Sequence, residues 1–452
     1  MTENPTILSV RKARTIVLCF DGTSNEYDGN ITNIVKFFAL LKKDDFDEQL
    51  CYYQPGVGTW FNPGVVSPLF HWVARLLDEA FAWYLDAHVI DGYRFLMQNY
   101  RAGDKICIFG FSRGSYTARA LAGVLHKVGL LPRNNEQQIP FAYKLYKRED
   151  RDGKDLCAGF KQTFCQNVKI QFVGVWDTVA SVGAIRGRTL PFISSNRAIK
   201  TFRHALSLDE HRVRFRANYY HRPSPDENGA ALDPEHASPV IGTIKESLKP
   251  GKSNKRKLVT PQRGGFFTKF FRTPTKIVLD IPDEEGDPTD VLEVWFSGCH
   301  ADVGGGAVAD AASNSLGNIS LRWMVQEIMK SQCGVLFDEL ALKRASIPGI
   351  IPGLLVENNL AQQALEIEDA LQPLHDELKR NVLWWILEIT PLPYFWQDAD
   401  GRWLKEHSFH LGRGRRIYDH HPHFHATVKR RMEKSKYTPR AQWEKGSEVY
   451  VH

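Results

Sequence analysis

Gly110-Phe111-Ser112-Arg113-Gly114 stands directly after the apolar run KICIF (105–109) and directly before SYTARALAGVLHKVG, a stretch with helical periodicity. Between a strand and a helix, Gly-x-Ser-x-Gly forms a turn so tight that the serine takes a strained backbone conformation and its hydroxyl stands clear of the sheet edge. The two glycines leave room for neighbouring backbone. A plain helix N-cap is the alternative role for Ser112. A serine hydroxyl is a weak nucleophile and needs a base, which in turn needs an acid to orient it. Asp177 directly follows the run VKIQFVGVW, and His300 follows VLEVWFSG after the single residue Cys299. If the three runs are strands of one parallel sheet, their C-terminal ends share an edge, and Ser112, Asp177 and His300 converge there.

Each partner has competitors. Asp302 and Asp310 lie close to His300 in the chain and compete for the acid's place, while His204, His211 and His425 compete for the base's. Acyl transfer also needs backbone N–H groups for the oxyanion, one commonly from the residue after the nucleophile and one from a loop after an early strand. Arg113 supplies the first, and Gly22 or Thr23 in the loop FDGTSN (20–25) supplies the second. Asp21, Gly110, Gly114 and Asp302 are expected to support the site. A strand followed by Asp-Gly-Thr is also similar to the start of haloacid-dehalogenase phosphatases, but the nucleophilic aspartate two positions earlier is here Cys19. The order Ser, Asp, His along the chain is that of α/β-hydrolases.

The elements that must position these groups are legible as a β/α alternation. Apolar runs at Thr15–Phe20, Leu50–Tyr53, Lys105–Phe109, Val168–Trp176 and Val291–Ser297 read as strands buried on both faces. Helical patterns fall at Asn33–Lys42, Leu69–Leu85, Ala87–Arg101, Ser115–Val128, Arg197–Leu208 and Ile319–Lys330. The expected fold is α/β, an α/β-hydrolase fold with a mostly parallel central sheet flanked by helices. Residues 1–330 would form the catalytic domain, with a flexible basic insertion at 222–290 before the last strand. Residues 331–452 would form a helical, His- and Arg-rich extension packed on it, including a long amphipathic stretch at Val356–Leu387 and the aromatic run LWWILEITPLPYFW.

With 452 residues, 43% of them hydrophobic and 24% charged, a disordered or disulfide-scaffold protein is excluded. The seven cysteines are widely spaced without a CxxC pair, so they read as reduced residues, and neither disulfides nor zinc are expected. No signal peptide and no spanning apolar run is evident, which points to a cytoplasmic protein. The net charge of +6 is concentrated: Lys245–Lys276 carries +9, and the remainder about −3. A general nucleic-acid protein is therefore not expected. Within that basic segment the cluster Phe266–Phe271 suits peripheral contact with an anionic membrane, and KSNKRK doubles as a weak nuclear-localisation pattern. The apolar stretch Phe61–Leu85 is a core helix or an acyl pocket and lid. The histidines at 407, 410, 420, 421, 423 and 425 lack the carboxylate spacing of a metal site, and no cofactor is expected.

FDGTSN at 20–25, GVGT at 56–59, GFSRGSYTARALAG at 110–123, VWDTVAS at 175–181, CHADVGGG at 299–306 and SLRWM at 320–324 occur in this order. Together they resemble an uncharacterised α/β-hydrolase family that includes type VI secretion phospholipase effectors and fungal intracellular proteins. The resemblance spans about residues 14–330, with weaker matches around Leu411–Arg416 and His425–Arg430. It implies an α/β-hydrolase fold and a triad of Ser112, Asp177 and His300. In the effector members the family cleaves phospholipid acyl esters with the help of membrane-engaging modules not expected in this chain. Ser115 stands where that family usually has Ala, and Ser297-Gly298-Cys299 where Pro-Gly-x is common. The expectation is a serine hydrolase acting on acyl esters of lipid-like substrates; the other reading is a non-catalytic membrane- or protein-interaction module on the same fold.

Overall fold

The computed structural model describes residues 13–22, 29–56, 85–179, 196, 198–220, 238–239, 288–347, 360–398 and 403–452. Thr23, the stretch 61–84 and the basic-aromatic stretch 245–276 lie outside them. Among the described residues no helix is long and apolar enough to cross a membrane.

Five strands come from the runs read above or beside them: β1 (Thr15–Phe20), β2 (Gln49–Gln54), β3 (Lys105–Phe111), β4 (Ile170–Trp176) and, after β5 (Ile199–Ser207) and the short β6 (Ser238–Pro239), β7 (Asp290–Phe296). Together with two C-terminal strands, β10 (His423–His425) and β11 (Val449–Val451), the sheet has the order β11-β10-β7-β5-β4-β3-β1-β2, and every neighbouring pair is parallel. All six residues of β1 are buried, as a strand covered on both faces demands. Ile16, Leu18 and Phe20 enter one core, with α2 (85–99), α3 (Arg113–Lys127), α4 (Ile139–Tyr146) and α5 (Arg151–Phe164). Val17 and Cys19 enter the other, with α1 (Asn33–Leu40), α7 (Leu316–Ser331) and α8 (Glu339–Arg344). Because β1 lies between β2 and β3, the winding reverses there, and the crevice at the C-terminal ends of β1 and β3 is where such sheets place their sites.

One expectation fails for a physical reason. Arg197–Leu208 is not a helix but contains β5, whose residues are buried except Lys200. Its polar Arg203 and His204 imitate the solvent face of a helix, yet they are buried because Arg203 pairs with Glu327 and Asp290 and His204 with Glu293. The amphipathic stretch Val356–Leu387 is, in its described residues, a series of short helices. After α9 (Leu360–Ala370) the chain passes Pro373, which cannot continue a helix, and resumes as the short α10 (Glu377–Arg380) and α11 (Trp385–Glu388).

The extension is more than helical. The aromatic run divides between α11 and β8 (Leu392–Gln397), which pairs antiparallel with β9 (Trp403–Ser408). β10 then pairs with β7 and is followed by α12 (Ala426–Lys434), so the sheet continues past β7. The buried pair Arg322–Asp369, at 2.6 Å, ties α7 to α9.

Candidate active site

β3 ends at Phe111, and α3 starts two residues later. Between them Ser112 has φ 56° and ψ −119°, a conformation that costs an L-residue about 1–3 kcal/mol and persists only where the surroundings enforce it. They do so here. The Ser112 N–H donates to the Trp176 carbonyl at 3.0 Å, while a Cβ at Gly110 would stand 2.5 Å from the Gly114 oxygen and one at Gly114 only 2.2 Å from the Phe20 oxygen. Ser112 makes no side-chain capping bond to α3, so the N-cap role is not what its hydroxyl serves. Ser115 donates its hydroxyl to the same Trp176 carbonyl at 2.9 Å.

His300 opens α6 (His300–Gly304), separated from the end of β7 by three residues. Its Nε2 lies 2.8 Å from Ser112 Oγ, and its Nδ1 lies 2.6 Å from Asp177 Oδ2. Phe111 stacks on the ring at 4.7 Å, and Phe215 meets it edge-on at 4.9 Å. α6 settles against Phe111 because Gly304 is flush on that ring; a Cβ there would come within 1.8 Å of it.

Asp177 is fully buried, with φ 39°. Burial alone would raise its pKa, but the Arg415 guanidinium and the hydrogen bond from His300 outweigh it and hold the carboxyl far below the usual range. Oδ1 accepts from the Ser207 N–H and hydroxyl at 3.0 Å each and from Arg415 Nη1 at 2.5 Å; Oδ2 accepts from Arg415 Nη2 at 3.0 Å. An ionised Asp177 assigns the imidazole proton to Nδ1 and leaves Nε2 to accept from the serine. The His300 pKa is lowered, burial outweighing the opposing pull of Asp177.

The rival residues lie elsewhere. Asp302 accepts from the Cys299 N–H at 2.9 Å and from His375, through its N–H at 3.0 Å and its Nδ1 at 2.7 Å, so it braces the turn before His300 and leaves the imidazole to Asp177. Asp310 accepts from the Ile31 N–H. His204 accepts from the Thr178 N–H at 3.0 Å and fixes the chain just past Asp177. His211 bonds to Asp376, and His425 caps α12, stacks on Phe296 and is pushed down to about 3 by burial. Asp21 accepts from Thr32, Tyr53 and the Gly22 N–H, the last at 2.6 Å, so the Gly22 amide is directed at Asp21 rather than toward Ser112. Arg113 N–H lies in the first turn of α3, where amides point out along the helix axis. Cys19 is buried, and burial raises its thiol pKa well above the usual value, which suits packing and not nucleophilic attack.

Four residues around the site were not singled out from the sequence: Ser207, Glu210, Arg212 and Arg415. Glu210 accepts from the His300 N–H at 3.2 Å and from Arg212 Nη2 at 2.8 Å; burial would raise its pKa, but Arg212 overrides it and holds it at about 2. Arg212 in turn lies over Phe215 at 3.6 Å and Trp384 at 5.1 Å. The charged run DEHRVRFR (209–216) is the signal for Glu210 and Arg212, and it follows a strand whose polar residues resemble a helix. Arg415 stands 238 residues from Asp177, inside the weaker family match around Leu411–Arg416, and nothing in that stretch points to the carboxylate it meets. Among the described residues no group of three or more His, Cys, Asp or Glu could hold a metal ion.

Residues 14–327 match the family model described as T6SS, Phospholipase effector Tle1-like, catalytic domain. The uncharacterized protein YEL023C of Saccharomyces cerevisiae (strain ATCC 204508 / S288c) is 29% identical over 527 aligned positions, covering 89% of this chain and 77% of that protein. A crystal structure of an uncharacterized protein from Pseudomonas aeruginosa aligns at 20% identity and a TM-score of 0.35, over 80% of this chain; the chain spans about half (53%) of that protein's length. The Tle1 effector, in its structure bound to the VgrG spike of the type 6 secretion system, aligns at 13% identity and a TM-score of 0.37, over 89% of this chain and 92% of that one.

Proposed function

The chain belongs to the family of Tle1-like phospholipase effector catalytic domains, and we propose that it is a serine hydrolase cleaving acyl esters of phospholipid-like substrates through Ser112, His300 and Asp177. The observation that carries this reading is the continuous relay from Ser112 Oγ to His300 Nε2 and from His300 Nδ1 to Asp177, built on a serine held at positive φ. In this reading Ser112 Oγ attacks the ester carbonyl while His300 takes its proton. The imidazolium, stabilised by Asp177, then protonates the departing alcohol oxygen, leaving an acyl-serine. Water, deprotonated by His300, attacks that acyl group and restores the free serine. The Arg113 N–H, in the first turn of α3, stabilises the oxyanion.

Phospholipid rather than neutral ester is favoured by the family itself, whose model is that of a phospholipase effector catalytic domain. A fluorophosphonate probe should label wild-type protein at Ser112 alone. Ser112→Ala should abolish both labelling and turnover, since removing the nucleophile of a coupled triad costs on the order of 10⁶ in rate. Labelling that persists in Ser112→Ala, or a tenth of wild-type turnover, would sink the assignment. Comparable kcat/KM on a diacyl phospholipid and on a diacylglycerol of the same chains would remove the phosphate from it.

A further inference from the structure

We propose that Arg415 is a positioning residue of this site: its guanidinium fixes which oxygen of Asp177 faces His300 and neutralises the charge of that carboxylate. The idea rests on the triad reading above and extends it to a part of the chain beyond the family-matched residues 14–327.

A carboxylate held through one oxygen can rotate about its Cβ–Cγ bond. Asp177 cannot, because the two terminal nitrogens of Arg415 reach one oxygen each, at 2.5 and 3.0 Å, in the planar fork that matches carboxylate geometry. The same guanidinium is fixed by the Ser207 hydroxyl at 2.7 Å and by the carbonyls of Ser207 and Phe215. Ser207 also bonds Asp177 Oδ1, so acid, serine and arginine form a closed, buried cluster.

The tail delivers Arg415 by backbone pairing. Gln442 N–H donates to the Arg415 carbonyl at 2.7 Å, and Ile417 N–H to the Gln442 carbonyl at 2.9 Å. Gly414 lies so close to Arg440 that a Cβ would stand 1.9 Å from its carbonyl oxygen. Ala441 N–H then donates to the Leu208 carbonyl at 2.9 Å, one residue after Ser207. The register of residues 440–442 on the end of β5 thereby sets the reach of Arg415 to Asp177.

The charge matters as much as the geometry. An uncompensated buried carboxylate beside an imidazole favours imidazolium, which cannot act as the base; the guanidinium offsets that pull. The groups facing His300 are Asp177 with Arg415 on one side and Glu210 with Arg212 on the other, so each carboxylate carries its own arginine.

The test compares wild type, Arg415→Lys and Arg415→Met, with active serines counted by a covalent serine probe so that rates are per competent site. Arg415→Lys keeps the charge but loses the fork. Its kcat should fall by on the order of 10²-fold, the cost of misplacing a reacting group by about 1 Å, with KM and the acid limb of the pH profile close to wild type. Arg415→Met should lose more and shift the acid limb upward by about one pH unit or more, because His300 then faces an unneutralised carboxylate. If Arg415→Met does not fold, the kcat of Arg415→Lys decides alone. A merely structural arginine would lower the count of competent sites and the melting temperature without touching the rate per site. Wild-type kcat per site in Arg415→Lys, or an unmoved limb in a folded Arg415→Met, would overturn the proposal. Failure of the probe to label wild-type Ser112 would overturn the triad reading itself, before any variant is compared.

Discussion

Burial lowers the His300 pKa from its ordinary 6.5, and the hydrogen bond to Asp177 only partly opposes it. The sign of the pH dependence follows: a general base works when unprotonated, so kcat/KM on a soluble ester should be at its plateau above neutrality and fall as pH drops through the lowered pKa. The midpoint of that limb should lie below about 6.5; a midpoint above 7 in the measured profile would contradict the balance of burial over Asp177. The two aspartates beside His300 in the chain or in space should separate cleanly under substitution. Asp177→Asn should reduce kcat by roughly 10⁴-fold, because the amide favours the tautomer with its proton on Nε2. Asp302→Asn weakens the brace on Cys299 and His375 and should cost stability more than rate. Steady-state kinetics on both variants, with their melting temperatures, check the ranking. Ser112, Asp177 and His300 were legible because each stands within a few residues of the end of an apolar run, and the end of a buried strand is marked by local composition. Ser207 and Glu210 were not, because the strand that ends at Ser207 contains polar residues whose burial depends on partners far along the chain.

The β3–α3 junction is the element on which the serine depends, and its tolerance can be read from backbone approach. Gly114→Ala would place a Cβ 2.2 Å from the Phe20 oxygen and 2.5 Å from the Asp21 oxygen, so α3 must lift from β1 and take the elbow with it. The expected outcome is a loss of at least about 3 kcal/mol, in the range of severe core changes, together with loss of probe labelling. Gly159 in α5 offers the control: a Cβ there meets nothing within 4 Å. Gly159→Ala should stabilise the protein by up to about 1 kcal/mol through helix propensity and leave the rate unchanged. Urea denaturation of the two variants tests both signs. β3 and α3 were readable because apolar content gives way abruptly to helical spacing at the Gly-x-Ser-x-Gly turn. β5 was misread because Arg203 and His204, satisfied by Glu327, Asp290 and Glu293, carry the signature of solvent while lying in the core.

At the scale of the whole molecule, the extension is stitched to the sheet by buried polar pairs as well as by β10 and β11. Asp369 in α9 accepts from Arg322 Nη2 at 2.6 Å and from the Ser315 N–H at 2.8 Å, all of it buried. Asp369→Ala would strand the Arg322 guanidinium without its counter-charge, and breaking one side of a buried pair costs about 3–5 kcal/mol. Urea titration should show that loss, and a midpoint unchanged from wild type would mean that the pair carries no net stability. The sequence by itself determined the α/β alternation, the parallel sheet and the three residues at its edge, because hydrophobic periodicity and turn chemistry act over a few neighbouring residues. Only the tertiary structure decided that β5 is a strand, that the tail adds β10 and β11 to the sheet, and that Arg415 grips Asp177. Those depend on which distant charge satisfies a buried one, and chain spacing holds no record of partners 238 residues apart.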